Sequence, residues 1–324
     1  VIEAGARVRA GPAVRAAVVF VGAVVVGGVA GYALVELTGV GSVRWASTQL
    51  ADLASAAGAL GAGLLAGCLL LPRDGSAFLV RVPDGPGAGW PGPRSGAATL
   101  VAAPLLLLVA EAVRSGHYYF FPAQLSGMVT DPGILLTSYA LYTAGLVLMV
   151  PASLALAGLI GREQPGWAFW GATTAVVGCC VRIFQEGISF LALQLVGVQG
   201  LGAATAAVAD TYGAWYVLVP LNGTDNVAWG VLAIGAYRAR VLGWVPALAV
   251  AFMLTHYSGV LKGTDLNSLT GAVLLAAALV PVGVALWRNA PPVSRWVWWG
   301  GIASVVLLAA QYLFAVLSGF QTLG

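Results

Sequence analysis

Several ionisable side chains stand inside apolar stretches at spacings that bear on chemistry. Arg182 and Glu186 are four residues apart, with Gln185 beside Glu186; on a helix that places them on one face, one turn apart, where they can pair. Glu111 precedes Arg114 by three residues and is followed by His117 and the aromatic run Tyr118-Tyr119-Phe120-Phe121. A third group is Asp210, Tyr212, Trp215 and Tyr216, with Asn222, Asp225 and Asn226 shortly after. The second histidine, His256, lies in a later apolar run. A carboxylic acid held in an apolar cavity resists ionisation and can donate its proton, while aromatic faces attract cations. Asp210, Glu186 and Glu111 are therefore the candidate acids. Arg182, Gln185, His117, Tyr118, Tyr119, Tyr212, Trp215, Tyr216, Asn226 and His256 are the candidate substrate-binding residues. Each group also has a plainer reading: an ion pair that fixes helix packing, an interfacial aromatic belt, or an Asp turned to water.

The elements that carry these residues follow from composition. Of the 324 residues, 60% are hydrophobic and 8% are Asp, Glu, Lys or Arg, against roughly 25% charged in soluble domains. So few polar side chains cannot coat a water-facing surface. A soluble enzyme, a nucleic-acid binder and a disordered chain are excluded, and the bilayer becomes the main partner. A spanning helix takes about 20 mostly apolar residues. Runs of that kind fall at 13–36, 48–71, 97–114, 133–160, 167–192, 214–236, 242–261, 267–287 and 297–319. The expected fold is an all-α integral membrane bundle of about nine transmembrane helices, a single polytopic domain over 1–324. Residues 201–227 are its irregular or re-entrant segment, and 73–96 form a Gly/Pro-rich cytoplasmic loop. The first apolar run is long enough to span, so no cleavable leader is expected.

Basic residues set the orientation. With the N-terminus inside, Arg7, Arg9, Arg15, Arg73, Arg81, Arg94, Arg162, Arg238, Arg240, Arg288 and Arg295 are cytoplasmic, whereas only Arg44, Arg114 and Lys262 fall outside. The expectation is a cell-membrane protein, N-terminus in and C-terminus out. Cys68, Cys179 and Cys180 lie in apolar runs without a CxxC or Cys/His cluster, and read as small hydrophobic fillers. No metal site and no cofactor are expected.

Motifs for a nucleophile elbow, a phosphate loop, a zinc protease or a diphosphate-bound magnesium are missing from the sequence. Three readings remain. One is a membrane-embedded enzyme that protonates a lipophilic isoprenoid and lets aromatic rings stabilise the carbocation during cyclisation. Another is a secondary transporter of a small or lipophilic solute, for which buried charges are the usual sign. The last is an electron carrier in which the two histidines, His117 and His256, both towards the outer side, ligate at most one haem. In its apolar, all-helical character, with isolated membrane carboxylates and no diphosphate-metal motif, the chain resembles the bacterial membrane-bound terpene cyclases of indole-sesquiterpenoid and meroterpenoid pathways. That resemblance implies metal-independent cyclisation with a Glu and an Asp in protonation, for which Glu111 or Glu186 with Asp210 are the nearest positions.

Overall fold

The computed structural model describes residues 82, 91–117, 120–211, 221–256, 259–292 and 294–317. The expected spans 13–36 and 48–71, and most of the loop 73–96, lie outside them. Among the described residues the chain is helical, without strands. The helices are α1 (Pro93–Arg114), α2 (Ala123–Thr130), α3 (Pro132–Gly161), α4 (Pro165–Gln199), α5 (Leu201–Thr211), α6 (Thr224–Arg238), α7 (Trp244–Ala251), α8 (Leu266–Asn289) and α9 (Arg295–Leu317). A 3₁₀ turn, Phe252–Thr255, extends α7. Four of them, α1, α3, α4 and α8, have the length and apolar composition to cross a membrane. Their exposed positions carry Leu105, Val109, Val147, Phe184, Leu191, Val273 and Val284, the surface a lipid tail would meet.

Helix starts are written locally. Pro93, Pro132 and Pro165 each occupy a first-turn position, where the missing N–H has no intrahelical partner to lose. α1 therefore begins at Pro93, inside the stretch 73–96 expected as loop, and Arg94 lies over the Trp287 ring at 5.1 Å. α4 is 35 residues long, about 52 Å at 1.5 Å per residue. That is longer than the roughly 30 Å of a hydrocarbon core, and the midpoint of α4 carries Arg182.

α1 packs along α3, α3 along α4, and α4 along α6. Small residues let the backbones close. A methyl built on Gly178 of α4 would stand 2.5 Å from the Asp225 Cα of α6. One on Gly283 of α8 would stand 2.8 Å from the Ala97 carbonyl oxygen of α1. Such contacts are the close approaches that glycine permits in helix–helix packing. The apolar core beneath them includes Leu100, Leu107, Leu146, Met149, Leu156, Leu232, Leu275 and Leu279. From Asn289 on, the described residues form a separate compact unit. Its helix α9 exposes Trp296, Trp299, Val306, Leu307 and Phe314.

The stretch 242–261, expected as one continuous span, is corrected. Helix stops at Thr255, and the chain between there and Leu266 is non-helical wherever it is described. The reason lies in two asparagines. Asn226 Nδ2 donates to the carbonyls of Leu254 (3.1 Å) and His256 (2.7 Å), and Asn267 Nδ2 to that of Thr255 (2.7 Å). These oxygens, which a further helical turn would have claimed, are satisfied by side chains instead. In this connection Leu261 is fully buried with φ 52°, a left-handed conformation that costs a bulky residue about 1–3 kcal/mol. Its N–H donates to Ser189 Oγ of α4 at 3.0 Å. Ser189→Ala strands that buried donor and is expected to cost about 1–3 kcal/mol. Thermal unfolding in detergent measures it, and a midpoint unchanged from the parent protein would refute it.

Candidate functional site

The non-helical connection meets the two charge pairs read from the sequence. Glu111 and Arg114 end α1, and both are almost completely buried. Glu111 Oε1 receives Arg114 Nη2 at 2.5 Å; its Oε2 receives Thr264 Oγ1 at 2.6 Å and Ser268 Oγ at 3.1 Å. Thr264 comes from the connection and Ser268 from the first turn of α8. Glu111 thus has a guanidinium on one carboxylate oxygen and two hydroxyls within reach of the other, each hydroxyl also lying near a backbone carbonyl, that of Glu111 for Thr264 and that of Asp265 for Ser268. Its sequence context makes Glu111 a candidate acid; this environment suits a fixed anion.

Arg182 and Glu186 share a face of α4 as their spacing requires, Nη2 to Oε1 at 3.5 Å. Both are buried. Arg182 gives its shorter hydrogen bonds to neutral oxygens: Gln185 Oε1 at 2.8 Å, Tyr142 Oη at 3.1 Å and the Gly259 carbonyl at 3.3 Å. Gln185 Nε2 in turn donates to Asn222 Oδ1 at 2.9 Å. Glu186 Oε2 is buried and has no hydrogen-bond partner in the described structure. A carboxylate with one idle oxygen in a dry interior is costly; a carboxylic acid there is much less so.

Tyr142 of α3 joins the two pairs. The Arg114 guanidinium lies 4.6 Å from its ring centre and that of Arg182 5.7 Å, while Tyr139, one turn earlier, lies 5.3 Å from Arg114. The Tyr142 hydroxyl stands 3.2 Å from His256 Nε2. Because Arg182 already donates to this oxygen, the phenol hydrogen is available to point at Nε2, which leaves the ring proton of neutral His256 on Nδ1. His256 Nδ1, Arg114 Nη1 and Arg182 Nε are buried and unpartnered in the same neighbourhood.

The structure therefore gathers Glu111, Arg182, Gln185, Glu186, Asn226 and His256 around one break in helix. It does not bring in every candidate. Asp210 sits on the exposed side of α5 near its end, with no hydrogen bond or ion pair to this cluster among the described residues. His117 is held apart, its Nε2 3.3 Å from Asp131 Oδ2. Tyr118, Tyr119, Tyr212, Trp215 and Tyr216 lie outside the described residues. Among the described residues no group of three or more His, Cys, Asp or Glu side chains is placed to hold a metal ion. Arg114, Tyr139, Tyr142, Thr264 and Ser268 complete the site, although the sequence reading does not single them out as site residues. For the tyrosines a signal exists: two phenols at i and i+3, about one turn apart on a helix, in the apolar run 133–160. For Thr264 and Ser268 nothing local distinguishes them, because their partner is about 150 residues away and such pairing is a tertiary fact.

No protein-family model, curated protein or solved structure matches this chain.

Proposed function

We propose that this protein is a secondary transporter of a small or lipophilic solute, coupled to protons through Glu186. The observation that carries the reading is the buried, partnerless Oε2 of Glu186 in the middle of the long helix α4, beside a non-helical stretch of chain. Ionisable groups within spans tend to mark ion and substrate pathways. Interrupted helices near the middle of the membrane are where transporters place their sites, and irregular backbone at that depth is tolerated only where protein or water satisfies it. The asparagine, threonine and serine contacts supply that satisfaction. In this reading the bundle has about nine spans, sits in the cell membrane, and runs from a cytoplasmic N-terminus to an outer C-terminus. Cysteine labelling at position 85 and at the C-terminus should then report opposite sides; labelling from the same side would overturn the odd count.

Proton coupling is tested in liposomes holding a pH-sensitive dye. Anionic, neutral and cationic solutes are added in turn, with protein-free liposomes as the reference for passive entry. At least one solute should move protons faster with the protein than without it. Glu186→Gln, which keeps shape but cannot exchange a proton, should bring that rate to the passive level. A variant as active as the parent protein would exclude Glu186 as the coupling site.

Acid-catalysed cyclisation of a prenylated substrate is the second reading. It too draws on the idle Oε2 of Glu186, which could hand a proton to an apolar partner. Against it, the faces of Tyr139 and Tyr142 already lie near guanidinium cations, which would repel a carbocation rather than settle it. Incubating membranes with a polyprenylated aromatic or its epoxide should give an isomer of unchanged mass if this reading holds, and Asp210→Asn should abolish it if Asp210 takes part. Absence of any isomer would remove it.

A further inference from the structure

We infer that one end of this bundle rests against the headgroups of anionic phospholipids, which Arg94, Arg162, Arg238, Arg240 and Arg288 attract. The surface lies apart from the break in helix around His256, and the inference does not depend on the transport reading.

Helix packing gathers these arginines from distant parts of the chain. A methyl built on Gly96 of α1 would stand 2.7 Å from the Ala155 Cβ of α3. One on Gly235 of α6 would stand 3.0 Å from the Trp167 Cβ of α4 and 3.1 Å from the Ile160 Cγ2 of α3. Gly283 of α8 lies against Ala97 of α1 in the same way. These contacts set the starts of α1 and α4 beside the ends of α3, α6 and α8. Each of the five arginines is within two residues of one of those termini, and Arg162, Arg240 and Arg288 are exposed.

Charge at this end is one-sided. Among the described residues Glu163 is the one acid there. Glu111, Asp131, Asp225 and Asp265 stand at or beside the opposite ends of α1, α3, α6 and α8. Glu186 lies in the far half of α4, and Asp210 on α5 beyond it. Guanidinium groups meet phosphate oxygens with paired donors and hold their charge at any working pH.

The surface next to the arginines selects a lipid over an acidic protein. Phe169 and Trp170, in the first turns of α4, are exposed and in edge contact at 5.2 Å. Trp287 of α8 is exposed as well, with the Arg94 guanidinium over its ring at 5.1 Å. Such rings settle at the level of lipid headgroups. Further along the same helices the exposed positions are apolar, with Leu105 on α1, Phe184 on α4 and Val284 on α8. Basic, then aromatic, then apolar is the order that one leaflet of anionic lipid presents from water to acyl chain. An acidic protein would match the arginines alone and leave the rings and the apolar band in water.

The experiment reconstitutes the full chain in mixed phosphatidylcholine–phosphatidylglycerol vesicles and measures the association of each lipid with the protein by spin label. One arginine near an anionic membrane surface is worth about fivefold in affinity. Phosphatidylglycerol should therefore be favoured at least about fivefold at roughly 0.01 M salt, where the Debye length is about 30 Å. The preference should shrink towards parity at roughly 1 M, where that length is about 3 Å. The triple change Arg162→Gln, Arg240→Gln and Arg288→Gln alters exposed positions alone, so it should fold, and should lower the ratio at least about twofold. The same three positions changed to Lys keep their charge and should keep the preference. Parity in the parent protein, a Gln triple as selective as the parent, or a Lys triple no more selective than the Gln triple would overturn the proposal. Salt-sensitive capture of polyglutamate by a protein indifferent to phosphatidylglycerol would overturn it too, and would give the surface to an acidic protein.

Discussion

Replacing Arg114 with Met is expected to cost about 3–5 kcal/mol, the penalty of leaving a buried charge without its partner. Met matches much of the volume and apolar stem of Arg, so the loss is electrostatic. Glu111 would keep the hydroxyls of Thr264 and Ser268 but would lose the only cation within hydrogen-bonding distance of it in the described structure. The guanidinium would also leave the rings of Tyr139 and Tyr142. Adding Glu111→Gln should recover most of the loss, since a neutral amide oxygen still accepts from the two hydroxyls and no lone charge remains. The measurement is the yield of monodisperse protein in detergent and its thermal unfolding midpoint. A single variant as stable as the parent protein, or a double variant worse than the single, would refute the pairing.

Gly178→Val should be the most damaging change that touches no polar group. The first added carbon would meet backbone atoms of Asp225 at 2.5 and 2.7 Å, and backbone cannot step aside as a flexible side-chain end can. α6 would have to move off α4, carrying Asn226 away from the carbonyls of Leu254 and His256. Overpacking of this kind costs about 1–3 kcal/mol and sometimes more; the upper end applies because the obstacle is main chain. Gly187→Ala, on the same helix, is the control. Its added methyl would meet nothing within 4 Å, and alanine is the better helix former by about 1 kcal/mol. Comparable losses for both would refute close approach to α6 as the cause.

Helices α1, α3, α4 and α8 are legible in the sequence because composition decides them: long apolar runs with proline at the start or polar residues at the ends. Both charge pairs are legible because helical spacing is local. The end of helix at Thr255 is not. The run 242–261 is apolar enough to span, and nothing within it forbids a helix. The stop comes from Asn226 and Asn267, which lie on either side of it in sequence and reach it only in the folded chain. The same limit hides Thr264 and Ser268. Asp210 stands out through its aromatic neighbours in sequence, yet it lies on an exposed helix face. Adjacency along the chain says little about shared burial when a helix turns by a face every few residues.

The connection between Thr255 and Leu266 is tied to four separate helices: to α1 through Thr264 and Glu111, to α3 through His256 and Tyr142, to α4 through Leu261 and Ser189, and to α6 through Asn226. Mechanically it behaves as a shared joint. A hydrogen bond tolerates only a few tenths of an ångström of stretch before it weakens, so a rigid shift of any one helix loads the ties to the others. Motion of α4 against α1 must then either carry the joint along as a body or release its ties to α4, at Ser189 and Arg182, or to α1, at Thr264, and the easiest of those routes sets the tempo of the motion.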